Sequence, residues 1–408
     1  MDHAAPRLDL TGTTPAVGYH HFHDDLSLNF QCNRWVQWIG PSAIAEVTEL
    51  AARCTTYPEW IDGFLELAVV AREVRPLASA YYDRAAEFFM RPDDPRRPGA
   101  RTRFLQTMRT LYAVTPDEVP YAGSALPAFD FRPDVETGSV IVIFGGFDSY
   151  IEEFLPMLAT MADAGHRVIA FEGPGQGSAL EERGLPMIPE WERPVAAVLD
   201  HYGLTDVTAV GESLGGGLVI RAAAFEPRIT RVVSMDILDD EFEVMARQIG
   251  RGVAPLLRAM LAMRARGIVN AIARRAVARK PVAAWGLQQG MRITGTRTAY
   301  DFMRSTTRFN TRRVSRQVTG DVLLLAGADD HYVPLKQLGR QAANLVRARS
   351  VTTRTFTAAE QASNHCQVGN IGAAVRVIQG WLQLTAISRT AEKGGVAEGF
   401  APLAVSHD

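Results

Sequence analysis

Val210-Gly211-Glu212-Ser213-Leu214-Gly215-Gly216-Gly217 decides the reading of this chain. A short β-branched run, Val207-Thr-Ala-Val210, precedes it, and an apolar helical stretch, Leu218 to Ala224, follows it. Gly-x-Ser-x-Gly between a buried strand and a helix sets the serine on a sharp, strained turn with its hydroxyl above the sheet. Gly211 and Gly215 are required because a Cβ at either position would strike the neighbouring strand or helix. Gly216 and Gly217 let the helix approach still closer. In a chain with 34 glycines the pattern alone is modest evidence, and its strand–helix context is what makes it specific.

Working outward, more strands of the same kind appear. Ser139-Val-Ile-Val-Ile-Phe144 ends in Gly145-Gly146, and His166 to Phe171, Arg231 to Ser234 and Asp321 to Ala326 are further short apolar runs. Helical stretches separate them, among them Glu152 to Ala164 and a last one from Gly369 to about Leu384. Continuous apolar strands alternating with helices predict an α/β fold with a doubly wound, mostly parallel sheet. Before this region, from about Leu26 to Leu126, apolar residues fall at helical spacing (Ile44, Val47, Leu50, Ala51; Phe64, Leu67, Val70, Val74). That zone shows no period-2 run, and its RPDDPRRPG stretch ending at Gly99 breaks one helix from the next. From about Leu238 to Gln317 the alternation stops, and an arginine-rich helical block intervenes, broken by Gly250, Gly252, Pro255, Gly267 and Pro281. The expected organisation is a flexible arm (1–18), an N-terminal helical domain (19–126), a core in two parts (127–237 and 318–387), a helical cap insertion (238–317) and a flexible tail (388–408).

Composition sets the outer limits. The chain has 408 residues, 47% apolar and 22% charged, with a net charge of −2, which suits a soluble protein with a large core and favours neither nucleic acid nor an anionic membrane. Cys32, Cys54 and Cys366 are too few and too scattered for a disulfide framework, so a cytoplasmic location is expected. The first fifteen residues lack an apolar signal core, and no window of about 18 residues is free of charge.

A serine on such a turn needs a base and an orienting acid, in the chain order serine, acid, histidine. Leu323-Leu-Leu-Ala-Gly-Ala-Asp329-Asp330-His-Tyr-Val-Pro334 offers two acids, and the register Gly-x-x-Asp-x-x-Val-Pro selects Asp330 over Asp329. Asp236, after the Arg231–Ser234 run, is a weaker rival. His365 lies 35 residues past Asp330, in a polar loop before the final helix, and fits the order. A neutral imidazole there can take the Ser213 proton and return it to a leaving group. Two backbone N–H groups should receive the oxyanion: that of Leu214, and one from Phe144-Gly145-Gly146-Phe147-Asp148, where Phe147 is the candidate donor and Asp148 a weaker polar candidate. Cys366 reads as a small packing residue.

Other features tempt less. His20, His21 and His23 are spaced too irregularly to converge on an ion, so no metal and no cofactor are expected. Arg247, Arg251, Arg258, Arg264, Arg266, Arg274, Arg275 and Arg279 read as a solvated helical face. The apolar residues among them (Leu256, Leu257, Met260, Leu261, Met263) either line a pocket or pack the cap. Gly173-Pro-Gly-Gln-Gly177 lacks the Lys-Ser/Thr of a phosphate loop and should shape the site's mouth.

Gly145-Gly146-Phe147-Asp148 with Glu152-Glu153, Phe171-Glu-Gly-Pro-Gly-Gln-Gly177, Gly-Glu-Ser-Leu-Gly-Gly and His365-Cys366 together resemble one branch of the α/β-hydrolases. That branch holds the pseudooxynicotine-cleaving hydrolase of nicotine breakdown, fungal hydrolases that shorten polyketides in pigment biosynthesis, and esterases similar to the fermentation–respiration switch protein. The likeness spans roughly residues 20–385 and is strongest from Val140 to Leu218 and around Asp330 and His365. The resemblance implies a serine hydrolase acting through an acyl-enzyme on a small-molecule carbon–carbon or ester substrate, with a helical N-terminal domain and a homodimeric assembly. An acyltransferase or cyclase of secondary metabolism would use the same residues. A non-catalytic binding protein on this fold would need none of them.

Overall fold

The computed structural model describes residues 15–136 and 139–393. Most of the expected arm (1–14) and of the tail (394–408) lies outside them. Residues 15–18 are tied down: the Ala16 N–H donates to the Gln37 carbonyl (2.8 Å) and the Gly18 N–H to the Gly369 carbonyl (2.7 Å).

Five α-helices come first among the described residues: α1 (Leu26–Ile39), α2 (Ile44–Arg53), α3 (Tyr57–Ala71), α4 (Pro76–Phe89) and α5 (Arg97–Leu111). Local chemistry sets their starts. The Asp25 carboxylate accepts from Ser27 and Leu28 N–H at the head of α1, and Thr56 and Glu59 form a reciprocal capping box at the head of α3. The helical region stops at Leu111, not at Leu126. A hairpin follows, β1 (Asp117–Tyr121) and β2 (Ser124–Phe131), turned by Ala122 and Gly123, both at positive φ. Pro120 and Pro127 sit inside these strands and hide them from a pattern reading, since proline cannot donate to a ladder.

The rest alternates. In order come β3 (Val140–Phe144), α6 (Leu155–Asp163), β4 (Arg167–Phe171), α7 (Gly177–Glu181), α8 (Glu192–His201), β5 (Val207–Glu212), α9 (Leu214–Phe225) and β6 (Ile229–Met235). Five cap helices intervene: α10 (Glu241–Ile249), α11 (Ala254–Ala262), α12 (Arg266–Val277), α13 (Pro281–Ile293) and α14 (Ala299–Thr306). The sheet resumes with β7 (Asp321–Gly327), α15 (Lys336–Asn344) and β8 (Ser350–Phe356), and the last helix among the described residues is α16 (Ile371–Lys393). This helix passes the expected end near Leu384, because no glycine or proline stands between Leu384 and Gly394.

Among the described residues the sheet has eight strands in the order β1-β2-β4-β3-β5-β6-β7-β8, with only the β1–β2 and β2–β4 pairs antiparallel. The chain moves from β3 outward to β4 and then crosses back to β5 on β3's other side. That reversal opens a crevice at the strands' carboxyl ends, where ligands of such sheets bind. β3 shows why its run is apolar throughout. Ile141 and Ile143 join a core with α6, α16 and the N-terminal helices, while Val142 and Phe144 face the opposite core with α8 and α9. The cap packs around Phe242, Leu257, Tyr300 and Phe302, and leans on α4 through Trp285, whose ring stacks on Phe88 (4.6 Å) and whose Nε1 donates to the Phe88 carbonyl (2.7 Å).

Helix α9 crosses β6 so closely that a Cβ on Gly216 would overlap the Asp236 carbonyl oxygen. Gly216→Ala should therefore cost about 3 kcal/mol of stability, read as a lowered urea midpoint, because backbone rather than a movable side chain blocks the methyl. A change below about 0.5 kcal/mol would mean that this gap is slack.

Candidate active site

Four strand ends and one loop bring the site together. Ser213 sits between β5 and α9 at φ 57°, ψ −121°, a sparsely populated conformation that the tight turn imposes, and its N–H donates to the Met235 carbonyl (2.6 Å). Its Oγ lies 2.9 Å from His365 Nε2. His365 Nδ1 lies 2.7 Å from Asp330 Oδ2, in the loop after β7. The other Asp330 oxygen accepts the Tyr332 and Val333 N–H groups (2.7 and 2.9 Å), which fixes the carboxylate. Asp329 is exposed, and its backbone N–H donates to the Ser363 carbonyl (2.9 Å).

Asp236 is here as well. Its Oδ2 lies 3.3 Å from His365 Nδ1 and accepts the Cys366 N–H, while Oδ1 accepts from Gln367 Nε2 (2.9 Å). Two buried carboxyls thus flank one imidazole, and they titrate in opposite directions. Burial alone would raise Asp330, but the His365 charge and hydrogen bond outweigh it and hold the carboxyl below its ordinary range. Asp236 is raised, first by burial and then by the charge of Asp330, against the His365 hydrogen bond. His365 is pulled down by burial, but Asp330 and the groups around it win and carry it well above 6.5.

The expected oxyanion loop lies against Ser213. A Cβ on Gly146 would stand 2.8 Å from Ser213 Cβ and 3.0 Å from the Leu214 nitrogen, so glycine is what permits the contact. Leu214 begins α9, so its N–H has no acceptor within the helix. Phe147 and Leu214 line one cavity with Ser213 and His365. The Gly-Pro-Gly-Gln-Gly loop, expected at the site's mouth, supplies Gln176, whose Nε2 donates to the Gly145 carbonyl (2.5 Å) and braces the turn from behind.

That cavity, of about 150 Å³, is walled mainly by apolar side chains such as Trp38, Phe154, Val244, Met245, Leu287 and Phe302. Leu256, Leu257, Met260, Leu261 and Met263 do not line it, whereas Ala273, Ala276 and Val277, among the same arginines, do. Leu257 and Leu261 pack the cap, while Leu256 and Met263 face solvent. Of the eight arginines, Arg247 is half-buried and the others are exposed. Polar residues interrupt the apolar wall, among them Gln31, Arg34, Glu212 and Glu241. Gln31 and Glu241 are almost fully buried, and Oε1 of each has no hydrogen-bond partner. Burial pushes Glu212 and Glu241 up to about 8. Neither glutamate was legible as functional, because Glu241 follows the Asp240 cap where acids favour any helix.

His20, His21 and His23 turn to separate partners. The His20 N–H donates to Asn33 Oδ1 (2.7 Å), His21 Nε2 lies 3.3 Å from Asp24, and His23 Nε2 contacts the Cys54 carbonyl (2.8 Å). Asp236, His365 and Cys366 are grouped within ligand reach, but both His365 nitrogens are engaged by Ser213 and the acids. No helix among the described residues is long and apolar enough to cross a membrane.

A family model for the alpha/beta hydrolase fold matches residues 139–365. The chain is 30% identical over 298 residues to hydrolase acrC of Aspergillus aculeatus, covering 64% of this chain and 68% of acrC. It is 33% identical over 207 residues to hydrolyase poxO of Penicillium oxalicum, covering 44% of this chain and 48% of poxO, about half of that relative's length. The fold is shared with the solved 2,6-dihydroxy-pseudo-oxynicotine hydrolase (18% identity, TM-score 0.57, 83% of this chain and 92% of that one). It is shared too with AbyA5 (18% identity, TM-score 0.64, 91% of this chain and 98% of that one).

Proposed function

The chain belongs to the α/β-hydrolase family and is a hydrolase, and from that premise we propose that it cleaves a β-dicarbonyl carbon–carbon bond through an acyl-enzyme on Ser213. The observation that carries this reading is the unbroken line from Ser213 Oγ to His365 Nε2 (2.9 Å) and from His365 Nδ1 to Asp330 (2.7 Å). His365 takes the serine proton as Oγ attacks a ketone carbonyl, and the N–H groups of Phe147 and Leu214 receive the oxyanion. Collapse breaks the bond to the neighbouring carbon, which leaves as an enolate and takes the proton from His365. Water, deprotonated by His365, then attacks the acyl-enzyme, releases a carboxylic acid and returns Ser213. One water is consumed, and one acid and one ketone are formed.

The carbon leaving group is favoured over an alcohol by the second carbonyl it carries. That oxygen needs a donor as the enolate forms. Glu212 and Glu241, pushed up to about 8, are largely protonated at neutral pH and line the same cavity as Ser213. The apolar walls suit a substrate that is otherwise carbon-rich.

An aryl β-diketone and an aryl acetate, incubated in parallel with the protein in ¹⁸O-water, test this. Cleavage of the diketone with one ¹⁸O in the acid is the expected result. Turnover of the acetate alone would make the protein an ester hydrolase. Diketone cleavage with the acyl group passed to a substrate hydroxyl, and no ¹⁸O gained, would make it an acyltransferase.

A further inference from the structure

We infer that Arg34, on α1, is a positioning residue for the oxyanion loop, which makes the N-terminal helical region a working part of the catalytic site; the inference rests on the acyl-enzyme reading above. Phe30 and Arg34 are one helical turn apart and so share a face of α1. That face meets both halves of the machinery. The Phe30 ring stands edge-on to His331 (4.8 Å) and Tyr332 (5.8 Å) and 6.3 Å from His365, on the base side. Arg34 reaches the oxyanion side, where Nη1 donates to Asp148 Oδ1 (3.0 Å) and Nη2 to Glu153 Oε2 (2.6 Å).

Glu153 is fully buried and shared with a second arginine, Arg84 of α4, which donates to its Oε1 (2.6 Å) and to the Asp148 backbone carbonyl (2.5 Å). Asp148 is thus held by its side chain from α1 and by its backbone from α4. The residue before it is Phe147, the expected oxyanion donor, whose own carbonyl accepts from Gln289 of the cap (3.3 Å). A network serving only to glue helices together has no need to converge on the peptide next to this donor. A bidentate guanidinium can span Asp148 and Glu153 at once, and a lysine ammonium cannot.

Arg34→Ala, Arg34→Lys and Asp148→Asn should be assayed with whichever of the two aryl substrates the wild type turns over. Arg34→Ala should lower kcat about 100-fold, the scale of a misplaced oxyanion donor, with KM changed less than about threefold. Because Arg34 lines the cavity, added guanidinium should restore kcat at least about tenfold, and Arg34→Lys should be intermediate. Asp148→Asn keeps both arginines on Glu153 and should lower kcat about tenfold with an unchanged melting temperature, which decides the matter if Arg34→Ala does not fold. Unchanged kcat in these variants, or losses that track melting temperature and ignore guanidinium, would overturn the inference. Wild-type turnover that does not depend on Ser213 would instead sink the acyl-enzyme reading beneath it.

Discussion

Ser213→Ala should lower kcat roughly 10⁵-fold on the substrate that the wild type cleaves, a loss of about 7 kcal/mol of transition-state stabilisation. KM should stay within about threefold, because the apolar walls and the loop N–H groups that hold the substrate remain. The size of the loss follows from what the hydroxyl does. In the proposed acyl-enzyme route it forms the covalent bond, and without it His365 has no serine hydroxyl to activate. The fold should tolerate the change. Alanine can occupy the turn at φ 57° at the cost serine already meets, and the N–H bond to the Met235 carbonyl is backbone. Wild type should take up one fluorophosphonate per chain and the variant none, both by mass, with melting temperatures within a few degrees. A variant that keeps activity within about tenfold of wild type would show that Ser213 is not the nucleophile, whatever its geometry.

Legibility in the sequence followed local constraint. The elbow could be read because a serine on a strand–helix turn demands glycines at fixed offsets, and Gly211, Gly215 and Gly216 all face backbone at close range. β3, β4 and β7 could be read because both their faces are buried, which leaves one continuous apolar run. β8, Ser350-Val-Thr-Thr-Arg-Thr-Phe356, escaped because it is an edge strand, exposed for much of its length, and its threonines and arginine resemble a loop. The β1–β2 hairpin escaped behind its prolines.

The candidate site divides the same way. Ser213, His365 and Asp330 follow from chain order and register. Asp236 was visible as a residue after a strand, but its standing on His365 depends on how the sheet twists and on where the loop carrying Cys366 and Gln367 lands. Arg34, Gln31 and Glu241 come from a preceding helical region and from the cap. Their meeting over Ser213 is a fact of tertiary packing, and no local pattern announces it.

The two acids on His365 lead to the second large effect. Asparagine in place of the orienting acid typically costs a triad about 10⁴ in kcat, because the wrong imidazole tautomer is then held. Here Asp330→Asn should cost less, roughly 10²- to 10³-fold, because Asp236 remains 3.3 Å from Nδ1 and can still accept its proton. Asp236→Asn should cost about tenfold, since Asp330 is nearer (2.7 Å) and already fixed by two N–H groups. The double variant should reach the full loss of about 10⁴-fold, more than the two single losses multiplied when Asp330→Asn sits at the low end of its range. The pH profile gives an independent reading. Both acids favour the imidazolium and raise His365 above 6.5, while catalysis needs the neutral ring, so wild-type kcat/KM should rise with pH along a limb placed above that value. Removing either acceptor weakens the imidazolium, so the limb should move to lower pH, further for Asp330→Asn than for Asp236→Asn. A limb that stays in place in Asp330→Asn would show that His365 does not depend on Asp330. Equal losses and equal shifts in the two single variants would mean that the two carboxyls share the role.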